Sequence, residues 1–303
     1  MPSGPWAILG SSRTHMTCEK RIAMIRAILL DIDGTLTNDE KKITPRTAEA
    51  LKAVQDKGVI LVLASGRADV GLHAFADVLD MKQHNGVFVA FNGAKSLNYQ
   101  TGEIYFEQAM SVDQGRRVLE HMKSFEVASC IDYGPYMLTN NAYFTIERDG
   151  EPWYIVEYES HNNSFLVREE ADLAAKVDWG INKILNAGEP AYLQEHWQEM
   201  YAPFEGELSA MFTAPFYYEF TPLGVDKSRA LRETFAALGI DQSEIIAFGD
   251  AQNDRTMLEW AGIGVAMGNA VDEVKAVANK VTLSNNEDGI AVALEELVPE
   301  LLG

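Results

Sequence analysis

Short runs of apolar residues alternate along the chain with polar turns and with stretches of helical period. Ile25–Leu30 is a continuous apolar run that predicts a buried strand ending at Asp31. Thr44–Lys57 then reads as a helix: Thr44 can cap it, Pro45 suits the first helical position and Gly58 stops it. Val59–Ala64 predicts a second buried strand ending at Ser65, Ala68–Leu79 a helix, and Val87–Phe91 a third strand ending at Asn92-Gly93. From about Ala94 to Pro222 the rhythm changes to hairpin-like strands, such as Ser96–Phe106, Tyr136–Tyr143 and Leu208–Phe220. Helices are expected there over Val112–Ser124, Glu169–Val177 and Pro190–Trp197, and most Tyr and Trp residues lie in this stretch. After Pro222 the first rhythm returns. Asp226–Leu238 is a helix closed by Gly239, Ile245–Phe248 a strand ending at Gly249-Asp250, and Asp254–Ala261 a helix. Ile263–Met267 is a strand, Val271–Ala278 a helix, Val281–Leu283 a short strand and Gly289–Leu297 a last helix.

Strands alternating with helices predict parallel βαβ units. The expected fold is therefore α/β, a Rossmann-like doubly wound parallel sheet core assembled from residues 21–95 and 223–303. An α+β domain, residues 96–222, is inserted into it. Residues 1–20 mix Pro, Gly, Ser and Thr without period and read as a disordered extension or tag, with Met24 a candidate alternative start.

Length and charge refine this picture. At 303 residues the chain is sized for two domains. Its 25 basic and 45 acidic residues give a net charge of −20, which argues against nucleic-acid and anionic-membrane surfaces, since both need clustered cations. A small phosphorylated ligand needs only one or two local cations and stays open. Two cysteines, Cys18 and Cys130, make no disulfide framework and point to a reducing cytoplasm. No apolar run approaches the roughly 18 residues of a spanning helix. Met1–Gly10 has no basic residue before its apolar patch and makes a poor signal peptide.

Polar residues that buried strands would not choose for packing cluster at three predicted strand ends: Asp31-Ile32-Asp33-Gly34-Thr35-Leu36, Ser65-Gly66-Arg67, and Gly249-Asp250-Ala251-Gln252-Asn253-Asp254. In an open parallel sheet, ligands bind outside the carboxyl ends of the strands, so all three point to one crevice. Asp31 and Asp33, two apart, fall on the same side of an extended backbone. Adjacent carboxylates need a cation or a shared proton, and a hard divalent ion suits such oxygens. Gly34 permits a sharp turn after them. Asp254 near a helix start is explained by capping alone, whereas Asp250, directly at a strand end, is not. Lys227 lies in the first turn of its helix, where a cation opposes the dipole, and therefore calls for an anionic partner. Ser65 offers a hydroxyl and exposed amides at a strand-to-helix turn where phosphate oxygens bind. Arg67 could contact an anion, but a surface salt bridge is the simpler expectation.

These motifs, in this order, resemble the haloacid dehalogenase superfamily of phosphohydrolases, and specifically its Cof-like branch. Lys227 stands within Gly224–Leu231, and Phe91-Asn92-Gly93-Ala94, Met267-Gly268-Asn269-Ala270 and Asn286–Gly289 add lesser similarity. The likeness extends over nearly everything from Ile25 onward. It implies that the insert is the α/β cap of this branch and that the enzyme is a phosphatase acting through an aspartyl-phosphate. Asp31 would be the nucleophile and Asp33 the acid and base. Mg²⁺ would be held by the Asp31 carboxylate, the Asp33 backbone carbonyl and Asp250, supported by Asp254. Ser65, Gly66, Lys227 and Asn253 would hold the phosphoryl oxygens, with Asn92 and Gly34 supporting.

The expected substrate is a small phosphate ester, a sugar phosphate or a phosphorylated cofactor, handled by a cytoplasmic monomer or homodimer. A phosphomutase on the same scaffold would need several cap cations, and the insert has few arginines: Arg116, Arg117, Arg148 and Arg168. A non-catalytic sugar-phosphate sensor would commonly lack Asp31 or Asp33, and both are present. Gly262–Gly268 only approximates a dinucleotide loop, and the six histidines show no metal spacing. Tyr217-Tyr218 and Trp153-Tyr154 are candidate pocket aromatics, although packing is the commoner role of aromatics in strands.

Overall fold

The structure is a computed structural model, and it describes residues 25–303. The expectation for residues 1–20 lies outside the described residues. In chain order the strands are β1 (Ala27–Leu30), β2 (Ile60–Ala64), β3 (Val87–Ala90), β4 (Lys95–Asn98), β5 (Ile104–Glu107), β6 (Ala128–Tyr133), β7 (Tyr136–Thr139) and β8 (Thr145–Arg148). They continue as β9 (Glu151–Tyr154), β10 (Leu166–Glu169), β11 (Ile184–Ala187), β12 (Leu208–Ala214), β13 (Tyr217–Pro222), β14 (Ile245–Gly249), β15 (Ile263–Ala266) and β16 (Lys280–Val281).

Eight of them form one sheet in the order β16-β15-β14-β1-β2-β3-β4-β5. The six from β16 to β3 are parallel, and β4 and β5 are antiparallel at the edge. The continuous apolar runs have the cause expected of them: both faces of the sheet are covered. Ile28, Leu30, Leu61 and Leu63 enter one core cluster, and the alternate residues Ala27, Leu29, Val62 and Ala64 enter the other. The chain leaves β1 for β2 on one side, and β14 flanks β1 on the other, with Leu30 in register with both Leu63 and Phe248. That reversal of strand order sets the three polar strand ends side by side.

The second sheet has the order β10-β7-β6-β11-β13-β12. Helices Val112–Met122 and Pro190–Tyr201 cover its outer face. Its other face carries Cys130, Leu185, Ala187 and Tyr217, packed with Ile155 and Val156 of the helix Ile155–Asn162.

Several elements differ from expectation. The 95–107 hairpin, assigned to the insert from sequence, extends the core sheet. Its alternating burial is that of a one-sided edge hairpin, which an apolar-run criterion does not connect to a buried sheet. Ala68–Leu79 is broken into a 3₁₀ turn, Asp69–Leu72, and a short helix, His73–Val78. In place of a helix over Glu169–Val177, β10 ends at Glu169 and Asp172 caps only Leu173–Lys176. The helix Ile155–Asn162 and strand β11 carry no strong periodic signal and are absent from the sequence reading.

Candidate functional site

Asp31 follows β1 directly and is buried, 7% exposed. Gly34 has φ +86°, a left-handed turn that reverses the chain, and a Cβ there would lie 2.5 Å from Asp250 Oδ2. Thr35 Oγ1 donates to Asp250 Oδ1 at 2.7 Å, and Asn269 Nδ2 donates to the Gly34 carbonyl at 2.8 Å. The first contact ties the Asp31–Leu36 turn to the Gly249–Asp254 turn, and the second ties it to Met267–Ala270.

Lys227 is the first residue of the helix Lys227–Leu238, behind the cap residue Asp226. The unfavourable placement is resolved by its partners: Nζ is 3.0 Å from Asp31 Oδ1 and 2.7 Å from Asp254 Oδ1, with the ammonium almost wholly buried. Burial works against the charged ammonium, but Asp31 and Asp254 outweigh it and hold Lys227 above the usual lysine range. Burial pushes Asp31 up to about 8, with Lys227 drawing it back and the Asp254 and Asp250 charges pushing it further. Asp250 is likewise raised, chiefly by burial, against the Thr35 hydrogen bond.

One oxygen each of Asp31, Asp250 and Asp254 lies within 4.8 Å of the others. Asp254 is fully engaged: Oδ1 by Lys227, Oδ2 by the amides of Asp250 and Ala251 at 3.1 Å each. Asp31 Oδ2 and Asp250 Oδ2 accept no hydrogen bond among the described residues. Three carboxylates against one ammonium leave a surplus of negative charge, and the donors are all hard oxygens, so the residues fit a divalent cation of the magnesium type. The space beside Asp250 Oδ2 that any side chain at position 34 would fill is consistent with that fit.

Asp33 turns the other way. Its carboxylate accepts from Arg67 Nε at 3.1 Å, from Arg67 Nη2 at 2.9 Å and from Lys41 Nζ at 2.8 Å. Burial favours its neutral form, yet these cations prevail and hold it below the usual carboxylate range. Arg67 also donates through Nη1 to the carbonyl of Asn162, at the end of a helix of the second sheet's layer. Sequence reasoning left Arg67 open to an anion contact but favoured a surface salt bridge. Nothing local to Ser65-Gly66-Arg67 signals that it spans two layers.

Ser65 is buried. Its Oγ accepts from the Arg67 amide at 3.2 Å, and its backbone carbonyl accepts from the amide of Asn92, which is left-handed at φ 55°. Asn92 Oδ1 accepts from Asn253 Nδ2 at 3.5 Å, and a Cβ on Gly66 would come within 3.0 Å of Asn92 Nδ2. Asp31, Asp33, Ser65, Gly66, Asn92 and Asn253 thus line one cleft of about 650 Å³, with Lys227, Asp250 and Asp254 packed around Asp31 and Gly34 beside Asp250. Every residue given a catalytic, phosphate-binding, metal or supporting role from sequence converges here. The far wall, from the second sheet and its helix, brings Glu159, Lys183, Tyr217 and Glu219, which sequence reasoning did not assign, Tyr217 excepted as a candidate pocket aromatic. Trp153 instead packs edge-on against Phe216, and Tyr218 is in the core.

A carboxylate beside a buried ammonium, a divalent-cation donor set and an adjoining amide-rich turn define a phosphoryl-transfer site. Comparison with known proteins agrees. Residues 28–294 match the sequence model of the haloacid dehalogenase-like hydrolases. A Bacillus subtilis (strain 168) protein named "Putative phosphatase YxeH" is 31% identical over 275 residues, 91% of this chain and 99% of its own. A Haemophilus influenzae protein named "Putative phosphatase" is 32% identical over 281 residues, 91% of this chain and 100% of its own. The crystal structure of a haloacid dehalogenase-like hydrolase from Bacteroides thetaiotaomicron superposes with a TM-score of 0.84 at 31% identity, covering 90% of this chain and 99% of that one. The chain belongs to the haloacid dehalogenase-like hydrolase family, as one of its phosphatases. The Cof-like resemblance in the motifs and the α/β core with its cap layer accord with this.

Proposed function

We propose that this phosphatase hydrolyses small phosphorylated metabolites in a Mg²⁺-dependent reaction that passes through an aspartyl-phosphate on Asp31. The observation that carries the reading is the position of Asp31. It is buried, 3.0 Å from the Lys227 ammonium, in a cleft whose core side is lined by Ser65, Gly66, Asn92 and Asn253. Asp31, Asp250 and the Asp33 carbonyl, with Asp254 in support, would hold the Mg²⁺, which would supply positive charge to offset that of the carboxylate and the phosphoryl group.

In the first half-reaction an Asp31 oxygen attacks phosphorus and the ester P–O bond breaks. Asp33, which must first take up a proton because Arg67 and Lys41 hold it as a carboxylate, delivers that proton to the departing alkoxide, which leaves as an alcohol. Lys227, the Ser65 hydroxyl, the Gly66 amide and Asn253 hold the phosphoryl oxygens, and Lys227 lets two like-charged groups approach. In the second half-reaction Asp33, now a carboxylate, takes a proton from water. That oxygen attacks phosphorus, and the P–O bond to Asp31 breaks to release phosphate. The Arg67 and Lys41 contacts fit the carboxylate form of Asp33 that this second step needs.

Residues 96–222, less the hairpin at their start, act as the cap that closes over the substrate and excludes water. No helix among the described residues is long and apolar enough to cross a membrane. We place the enzyme in the cytoplasm as a monomer or homodimer, acting on a small-molecule phosphate ester.

The test is phosphate release from a panel of small phosphate esters with and without Mg²⁺. Turnover lost on chelation and in Asp31→Asn is expected. Esters that bind but are never hydrolysed, with or without Mg²⁺, would contradict the reading and favour a sensor.

A further inference from the structure

The cap side of the cleft carries three charged side chains among the described residues: Glu159, Lys183 and Glu219. Two of them satisfy each other. Lys183 Nζ is 3.1 Å from Glu219 Oε1, both side chains are largely buried, and the same ammonium reaches the Gly66 carbonyl at 3.4 Å. The core's cation in the cleft, Arg67, is taken by Asp33. Glu159 therefore remains as the cap-wall carboxyl without an ion-pair partner; burial pushes its pKa up, and the nearby Lys183 charge draws it back. It is held in place by Asn163, whose Nδ2 donates to Glu159 Oε1 at 2.9 Å, and it makes no ion pair within 4 Å among the described residues.

Tyr217 is the second unsatisfied group. It is 7% exposed, and its hydroxyl has no hydrogen-bond partner among the described residues. Tyr217 and Glu219 alternate along β13 and face the cleft, whereas Tyr218 and Phe220 point to the opposite core. Burial, and after it the Glu159 charge, push the Tyr217 hydroxyl well above the usual tyrosine range, so it stays a neutral phenol. A buried hydroxyl without a partner costs about 1–3 kcal/mol, so a bound group that supplies one is favoured there.

We propose that Glu159 and Tyr217 are specificity-determining residues of the cap, and that they read a neutral, hydroxyl-rich leaving group rather than one bearing a second anionic group. The inference rests on the phosphatase reading above and deepens it. A carboxylate and an orphaned phenol next to each other offer acceptors for several hydroxyl donors. The unpaired Glu159 charge repels a second phosphate or a carboxylate, and no cap cation remains free among the described cleft residues to offset it.

The experiment compares kcat/KM for glucitol 6-phosphate, phenyl phosphate and fructose 1,6-bisphosphate in the wild type, Glu159→Gln and Tyr217→Phe. Circular dichroism confirms that each variant is folded, and Tyr217→Phe removes one atom should the other variant unfold. The wild type should prefer glucitol 6-phosphate to both other esters. Glu159→Gln should lower the ratio of glucitol 6-phosphate to phenyl phosphate by about 10- to 100-fold, the loss expected for hydrogen bonds to a charged group, and Tyr217→Phe by about 2- to 10-fold, that of a neutral one. Ratios that neither variant moves, or a wild type that favours the bisphosphate, would overturn the inference.

Absence of turnover on every ester would count against the phosphatase reading, and calorimetric titration of Asp31→Asn with the same compounds then decides the inference separately. Tighter binding of glucitol 6-phosphate than of phenyl phosphate, lost on adding Glu159→Gln, supports it. Equal affinities overturn it.

Discussion

Asp31 and Lys227 are 196 positions apart in the chain and 3.0 Å apart in space, and both are buried. The ammonium serves two ends at once. It stabilises the charged form of a carboxylate that burial alone drives towards neutrality, and in the proposed mechanism it also holds a phosphoryl oxygen. Removing one member of a buried pair leaves its partner uncompensated, at a cost of about 3–5 kcal/mol. Lys227→Met should therefore lower unfolding free energy by about that amount in urea titrations at pH 8, in addition to abolishing turnover. The loss should be smaller at pH 5. Without the lysine the Asp31 pKa rises further, and a carboxyl with a raised folded-state pKa contributes stability at low pH that is lost as pH climbs.

Arg67 should move the pH profile. Its guanidinium, with Lys41, holds Asp33 as a carboxylate against the effect of burial. Arg67→Gln removes that support, so the Asp33 pKa rises and the acidic limb of kcat against pH shifts to higher pH. A limb that stays in place would show that Asp33 is not the group titrating there.

Gly71 touches the cap. A Cβ at this position would lie 2.7 Å from Asn163 Oδ1 and 3.2 Å from Asn163 Cα, the residue that orients Glu159. Gly71→Ala should favour the local helical turn by up to about 1 kcal/mol while pushing the cap away from the core. The expected signature is kcat/KM several-fold lower with no loss of thermal stability. Reduced stability with unchanged kinetics would place the strain elsewhere.

Asp132, beside the cleft wall, has its pKa raised to about 6, chiefly by burial and then by Asp69. The folded state thus prefers it protonated, and stability falls as pH rises from the ordinary aspartate range through 6. Asp132→Asn should stabilise the protein at pH 8 by at most about 2 kcal/mol, since the carboxyl is partly exposed, and should change little at pH 4. Chemical denaturation at both pH values checks this.

The core was legible because its signals are local. A continuous apolar run ending at Asp31 or Asp250 states both that a strand is buried and where its polar end emerges, and Lys227 at a helix start announces a partner by its misplacement. The 95–107 hairpin was assigned to the wrong layer because alternation describes a half-covered strand without saying which sheet it joins. The cap wall was not legible for a related reason. Glu159 lies on a helix preceded by a short hairpin, Lys183 just ahead of β11 and Glu219 on β13. None has a local oddity that requires explanation, and only the folded arrangement shows that Lys183 pairs with Glu219 and leaves Glu159 without an ion-pair partner among the described residues. Arg67 was underrated on the same grounds, since its reach from Asp33 to the Asn162 carbonyl is a tertiary fact.

The central claim is that the phosphoryl group is carried on Asp31. Rapid acid quench of the enzyme during turnover with Mg²⁺ and a hydrolysed ester, followed by peptide mass spectrometry, tests it directly. The account predicts one transient phosphoryl group on the peptide containing Asp31, absent in Asp31→Asn and accumulating when Asp33→Asn slows hydrolysis. Turnover with no label on that peptide in either background, or a label on another residue, would contradict it.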